Sequence, residues 1–315
     1  MTTESWRRVT QWLSVLISHG NLTALATRVT YAGALRGLCV PGLSCYSCPA
    51  ALLSCPIGTF QHFMVIGQVP WMLIGWLVLI GALVGRLTCG WFCPFGLLQD
   101  LMYRIECIKI TIPEQLRYLK YVVLVVAVII LPLTTQVSWF SQLCPSGTLS
   151  AGIPWVLWNP LSPETGQPIV ANPIGGLFVV KLIILGSLLV LFAAAKRPFC
   201  RTLCPLGAIY SLFSRVSLLR LAVSSSCTGC NACKTACPVD RVVADDPNSG
   251  ECVRCLACTR CRHVRVSIAG ADSAKLWPAP TRSRASCGDG VTIGEAVDPS
   301  APTADTTGEP CDAET

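Results

Sequence analysis

The sequence predicts a mainly α protein in three parts: a four-helix polytopic membrane domain (1–222), a small cysteine-built α+β domain (223–263) and a disordered tail (264–315). Three observations carry this. Of 315 residues, 52% are hydrophobic and only 13% charged, against about a quarter charged in a soluble domain. The 20 cysteines far exceed what membrane packing alone would use. Eight of them fall in two dense runs between positions 227 and 261, outside the apolar segments.

The membrane elements follow from apolar length. Residues 10–26 form the first apolar stretch, short and interrupted by His19, Gly20 and Asn21. Residues 65–87, 118–134 and 174–195 read as three further spans, on the scale of about 30 Å of hydrocarbon at about 1.5 Å per helical residue. Lys181 interrupts the last one; an intramembrane charge is a functional candidate, with snorkelling to the interface as the plain alternative. The net charge of +7 does not point to nucleic acid, because Lys and Arg gather at the ends of apolar segments. Arg86, Arg104, Lys109, Arg117 and Lys120 lie in one connection, and Lys196, Arg197, Arg201, Arg215 and Arg220 follow the last span. By the positive-inside rule both termini and the dense cysteine runs are expected in the cytoplasm of a multi-pass inner-membrane protein. No cleavable leader is recognised after Trp6-Arg7-Arg8.

A tetrad Cys-Pro-x-Gly occurs at Cys55, Cys93, Cys144 and Cys204. On the expected topology the tetrads alternate between outer and inner faces. Each inner one is preceded by a cysteine four positions earlier, giving Cys89/Cys93 and Cys200/Cys204. This predicts two parallel repeats about an axis along the membrane normal. Residues four apart share a helix face, so four thiolates could meet at the cytoplasmic surface and hold a third iron–sulfur cluster; the alternative is small packing residues at helix ends. The proline after each second cysteine is expected to end the span and free backbone N–H groups toward sulfur. Cys39, Cys45, Cys48, Cys55 and Cys144 form an outer set, of which Cys45, Cys48, Cys55 and Cys144 are candidates for a metal or a fourth cluster. Disulfides are the alternative on an oxidising face. The apolar Pro- and Gly-rich segment 39–59 is a candidate re-entrant loop, allowed only where protein covers its backbone.

Cys227, Cys230, Cys233, Cys237 and Pro238 have the C-x2-C-x2-C-x3-C-P spacing that holds 4Fe-4S clusters in bacterial ferredoxins. Short spacers let one turn aim three thiolates at one cube, and the fourth cysteine of each run crosses to the other cube. Cys227, Cys230, Cys233 and Cys261 are thus expected around one cluster, and Cys252, Cys255, Cys258 and Cys237 around the other. A zinc ribbon is the alternative for paired C-x2-C; two triplet-plus-one runs disfavour it. In the second run Cys261 follows after two residues instead of three, and Arg262 stands where proline is usual. Gln61 and His62 are weak candidates for contacting a quinone, and His19 lacks an obvious partner for haem. Cys258-Thr-Arg-Cys261-Arg-His263 misses the c-type haem motif. Neither haem nor flavin is expected.

CGWFCPFGLLQDL (89–101) and FCRTLCPLGAIYSLF (199–213), with the two runs that follow, resemble the membrane polyferredoxins of the NapH type. They also resemble the C-terminal membrane half of the nitrous-oxide-reductase regulator NosR. The resemblance covers about residues 5–263. It implies a membrane-bound electron-transfer subunit of a quinol dehydrogenase complex, working between the quinone pool (or an outer-face donor) and other redox subunits. The alternative it leaves is an assembly or regulatory factor that supplies electrons or metal to another metalloenzyme.

Overall fold

The computed structural model describes residues 3–21, 23–24, 31, 33–158, 167, 174–224, 227, 229, 231–261 and 263–269. The expected tail beyond 269 lies outside them, as does Cys230. The chain is mostly helical. In order it forms α1 (Thr3–Ser18), α2 (Pro56–Val65), α3 (Trp71–Val84), α4 (Leu87–Trp91), α5 (Pro94–Met102) and α6 (Glu114–Thr135). There follow α7 (Trp139–Leu143), α8 (Ile153–Trp158), α9 (Gly176–Ala194), α10 (Pro198–Thr202), α11 (Pro205–Phe213) and the short α12 (Ala232–Thr235).

Among the described residues two helices, α6 with 22 residues and α9 with 19, have the length and apolarity of a membrane span. That is fewer than the four anticipated. α3 is apolar but has 14 residues, because its ends are set by backbone chemistry. Gly67 (φ 70°) and Pro70 break the chain before Trp71, and Gly85 turns it at φ 59° after Val84. α1 departs most. It stops at Ser18 and buries its polar face, Arg7, Gln11, Ser14 and Ser18, while Trp6, Val9, Trp12, Leu13, Leu16 and Ile17 are exposed. A water-soluble surface helix does the reverse; an apolar outer face suits a lipid surround.

The cysteine-built domain is closed by two strands, β1 (Leu219–Val223) and β2 (Val264–Ile268), antiparallel with Leu219 opposite Ile268 and Val223 opposite Val264. The unit therefore begins before residue 223 and ends after 263. The valines at 264 and 266, which alternate with polar residues, supply a period-two strand that the expected boundary assigned to the tail.

Candidate functional site

Each Cys-Pro-x-Gly tetrad builds the same local structure. The cysteine is the N-cap, with φ between −83° and −63° and an extended ψ, and the proline is the first helical residue, at Cys55, Cys93, Cys144 and Cys204. Proline suits this position because its missing N–H would have no intrahelical partner. The preceding helices end at Trp91 and Thr202, and the proline opens the next one. The thiol takes the place a serine usually holds at an N-cap: the Gly207 N–H donates to Cys204 Sγ at 3.3 Å. At the two inner tetrads the glycine sits in close quarters. A Cβ on Gly207 would lie 3.2 Å from an Arg86 nitrogen, and one on Gly96 would lie 3.1 Å from the Cys89 carbonyl oxygen.

The two inner pairs converge. Cys89, Cys93, Cys200 and Cys204 are each 5–6% exposed and lie within electrostatic reach of one another. The Gln99 side-chain amide donates to Cys200 Sγ at 3.0 Å. Burial, reinforced by the neighbouring thiols, pushes the Cys93 thiol up to about 12 and the Cys204 thiol well above its ordinary range. Any metal bound here must therefore displace protons. The surroundings fit a polar, negatively charged occupant. Arg86 Nε, a donor beside these cysteines, is buried without a hydrogen-bond partner among the described residues. Buried polar atoms seldom stay unsatisfied.

The sequence reading passed over two arginines that complete this site. Arg86 donates to the Cys200 carbonyl at 3.0 Å, and Arg197 donates to the Cys89 carbonyl at 3.2 Å. Both guanidinium groups are 0–1% exposed. The signal was present: each arginine stands three residues before the first cysteine of its pair.

In the ferredoxin-type runs, one small pocket is lined by Cys237, Cys252, Cys255 and Cys258, and another by Cys227, Cys233 and Cys261. The fourth cysteine of each run thus crosses to the other set. The two runs share a backbone pattern: Gly229 and Arg254, then Asn231 and Leu256, all have positive φ, at 69°, 47°, 56° and 62°. A left-handed leucine is costly, and the return is a curl that turns consecutive N–H groups toward one centre. The Arg254 N–H donates to Cys252 Sγ at 3.4 Å. The shortened spacing before Cys261 is absorbed by a 3-10 turn at Ala257–Arg260, where the first run uses the α-turn Ala232–Thr235; three residues per turn match the missing residue. Among the described residues no three His, Cys, Asp or Glu side chains are close enough to grip a single ion.

The sets are contiguous. A Cβ on Gly90 would lie 2.5 Å from the Val253 carbonyl oxygen and 3.4 Å from Cys255 Cα, so the inner site abuts the Cys237/Cys252/Cys255/Cys258 pocket. On the other side the 38–55 loop folds inward until a Cβ on Gly42 would touch Cys93 Cα at 3.0 Å. Cys55, Cys93, Cys144, Cys204, Cys237 and Cys255 belong to one continuous core. The loop thus brings the segment that carries the outer thiols against the inner site. Cys45, Cys55 and Cys144 line a cavity of about 470 Å³ together with Lys181 and Trp155. Cys48 is buried one turn away and does not line it, and Lys181 faces this space. Gln61 has another role: it donates to the Ala127 carbonyl at 3.0 Å and accepts from the Ser141 N–H and hydroxyl, which ties α2 to α6 and α7. His62 is exposed, and His19 lies between the Ser18 and Ser44 hydroxyls.

A family model described as a 4Fe-4S binding domain matches this chain twice, at 68–113 and 177–223, the two segments that carry the paired cysteines. An uncharacterized protein of Methanocaldococcus jannaschii is 32% identical over 217 residues, 65% of this chain and 81% of that protein. The methylamine utilization ferredoxin-type protein MauN of Methylobacillus flagellatus is 28% identical over 51% of this chain and 50% of its own length. The ferredoxin-type protein NapH of Escherichia coli is 28% identical over 58% of this chain and 60% of its own. The chain thus spans between half and three-fifths of these two ferredoxin-type relatives. No solved structure matches.

Proposed function

The chain belongs to the NapH-type family of ferredoxin-type proteins, and from that premise we propose that it conducts electrons between the quinone pool, or an outer-face donor, and a redox partner. Iron–sulfur electron transfer is the general activity. The specific reading is a membrane relay with three inner stations. Cys227, Cys230, Cys233 and Cys261 would hold one 4Fe-4S cluster, Cys237, Cys252, Cys255 and Cys258 a second, and Cys89, Cys93, Cys200 and Cys204 a third. Cys45, Cys48, Cys55 and Cys144 are a further candidate set at the outer end. Such clusters, when bound, supply one-electron oxidation and reduction with little rearrangement. The protein holds the sites in contact, covers them from water and offers N–H donors to sulfur.

The observation that carries this reading is the packing of Gly90 against the Val253 carbonyl, beside Cys255, which leaves no room for a side chain between the inner and ferredoxin-type sites. The orientation, with the ferredoxin-type domain cytoplasmic, is supported by the basic residues around 86–120 and 196–220. The cavity beside Cys45, Cys55 and Cys144 favours a second reading, in which the outer thiols handle metal for the assembly of another metalloenzyme.

The test is iron and acid-labile sulfide on anaerobically purified protein, followed by addition of a quinol. About 12 iron atoms per chain, with clusters that quinol reduces, is the expected result. About 8 would leave only the ferredoxin-type pair and remove the membrane station. Metal binding at the outer thiols without any quinol reactivity would transfer support to the assembly reading.

A further inference from the structure

The arginines that cross between the repeats sit in matched charge clusters. Arg86 also donates to the Gly250 carbonyl at 2.6 Å and reaches Glu251 at 3.5 Å, and Lys120 donates to the same carboxylate at 2.5 Å. In the other half Arg197 grips Asp100 through two nitrogens, at 2.6 and 2.5 Å, and Arg7 donates to that carboxylate at 2.8 Å. Counted over these direct ion pairs, with Arg117 and Arg201 farther from Glu251 and Glu4 farther from Arg7, each cluster has two cations on one anion and so retains one positive charge.

A buried, isolated ion is strongly disfavoured, and a buried excess of charge needs an opposite charge nearby. Glu251 and Asp100 each answer one cation and leave one over. A 4Fe-4S core with four thiolates carries about two net negative charges in its oxidised form and about three when reduced. Two residual positive charges, one from each side, match that demand. Their placement agrees, because each guanidinium is fixed to the carbonyl of the first cysteine in the opposite pair.

We propose that Arg86 and Arg197 are the built-in counter-charges of the Cys89/Cys93/Cys200/Cys204 site and raise the reduction potential of the cluster held there. The inference rests on the third cluster proposed above. Positive charge stabilises the reduced cluster more than the oxidised one, so the arginines raise its potential while the two carboxylates lower it. Glu251 and Asp100 are thus positioning residues that set how much of each guanidinium's charge the site feels.

The experiment is a potentiometric titration followed by EPR, on the full chain, with iron counted in every sample. Arg86→Gln and Arg197→Gln are expected to move the inner-site potential to more negative values, and Glu251→Gln and Asp100→Asn to more positive values. The signals of the ferredoxin-type clusters should move less. A shift of the same sign in both groups, or no shift with iron content unchanged, overturns the proposal while leaving the third cluster in place. About 8 iron atoms in the unsubstituted protein overturns the cluster itself and this inference with it. If the Gln variants lose iron, Arg86→Lys and Arg197→Lys decide: retained iron supports the counter-charge role. Iron lost in the Lys variants too, with unmoved potentials in Glu251→Gln and Asp100→Asn, refutes it.

Discussion

The inner and outer thiol sets are built from the same tetrad and end in different surroundings. Cys93 and Cys204 cap their helices as Cys55 and Cys144 do, with the same proline and glycine. Around the inner pair stand two buried guanidinium groups and an amide on sulfur. Around Cys45, Cys55 and Cys144 lies an open, mostly apolar cavity, with Lys181 as the nearby cation. The motif therefore fixes where the sulfur points, and the surroundings decide what it is fit to hold. Charge is balanced in advance at the inner site. At the outer one the cavity leaves room for whatever arrives.

The comparison breaks most sharply in iron content. Cys89→Ser or Cys200→Ser should remove about 4 iron atoms per chain, whereas Cys48→Ser, whose side chain misses the cavity, should leave the inner clusters whole. Equal losses from both would mean that the two sets are one site.

Next in size is the carboxylate between two cations. Asp100→Ala leaves Arg7 and Arg197 buried without their partner and should cost about 3–5 kcal/mol of stability, read from thermal unfolding in detergent. The pH dependence has a definite sign. Burial alone would raise the Asp100 carboxyl, but Arg197 and Arg7 override it and hold it below its ordinary value. A carboxylate lowered in the folded state stabilises fully above its unfolded pKa of about 3.9, and this contribution is lost as pH falls through the lower folded value. Asp100→Asn should remove that acid limb, and a wild-type loss beginning near neutrality would contradict the pairing.

Smaller effects test the contact between sites. A methyl group at Gly90 must displace the Val253 carbonyl, so Gly90→Ala should cost about 1–3 kcal/mol and slow reduction of the ferredoxin-type clusters by quinol. Gly186→Ala, where a Cβ meets nothing within 4 Å, should be neutral or stabilising by up to about 1 kcal/mol. Comparable losses at both positions would remove the special status of the Gly90 contact.

Spacing made the ferredoxin-type runs and the tetrads legible in the sequence, because ligand geometry is set over a few residues. Even the shortened interval before Cys261 could be seen, although its solution, a 3-10 turn, could not. Asp100 and Glu251 escaped notice since their partners lie far away in the chain, at 7, 197, 86 and 120. α1 lies earlier than the expected 10–26 stretch, because hydropathy counts apolar residues without saying which way they face. The inward fold of 38–55 also depends on distant packing against Cys93, which no local pattern reveals.

The crossed arginines make each repeat depend on the other. Neither repeat contains a finished site: each supplies two sulfurs and the guanidinium that serves the other repeat's cysteine. Such reciprocity is the contact expected across a two-fold axis between identical subunits, where a patch on one copy meets the same patch on its mate. A single repeat paired with its own duplicate would satisfy every one of those crossed bonds. The present chain has the form of a symmetric pair fused end to end. The symmetry stops at the carboxylates, since Asp100 lies in the first matched segment and Glu251 lies beyond both.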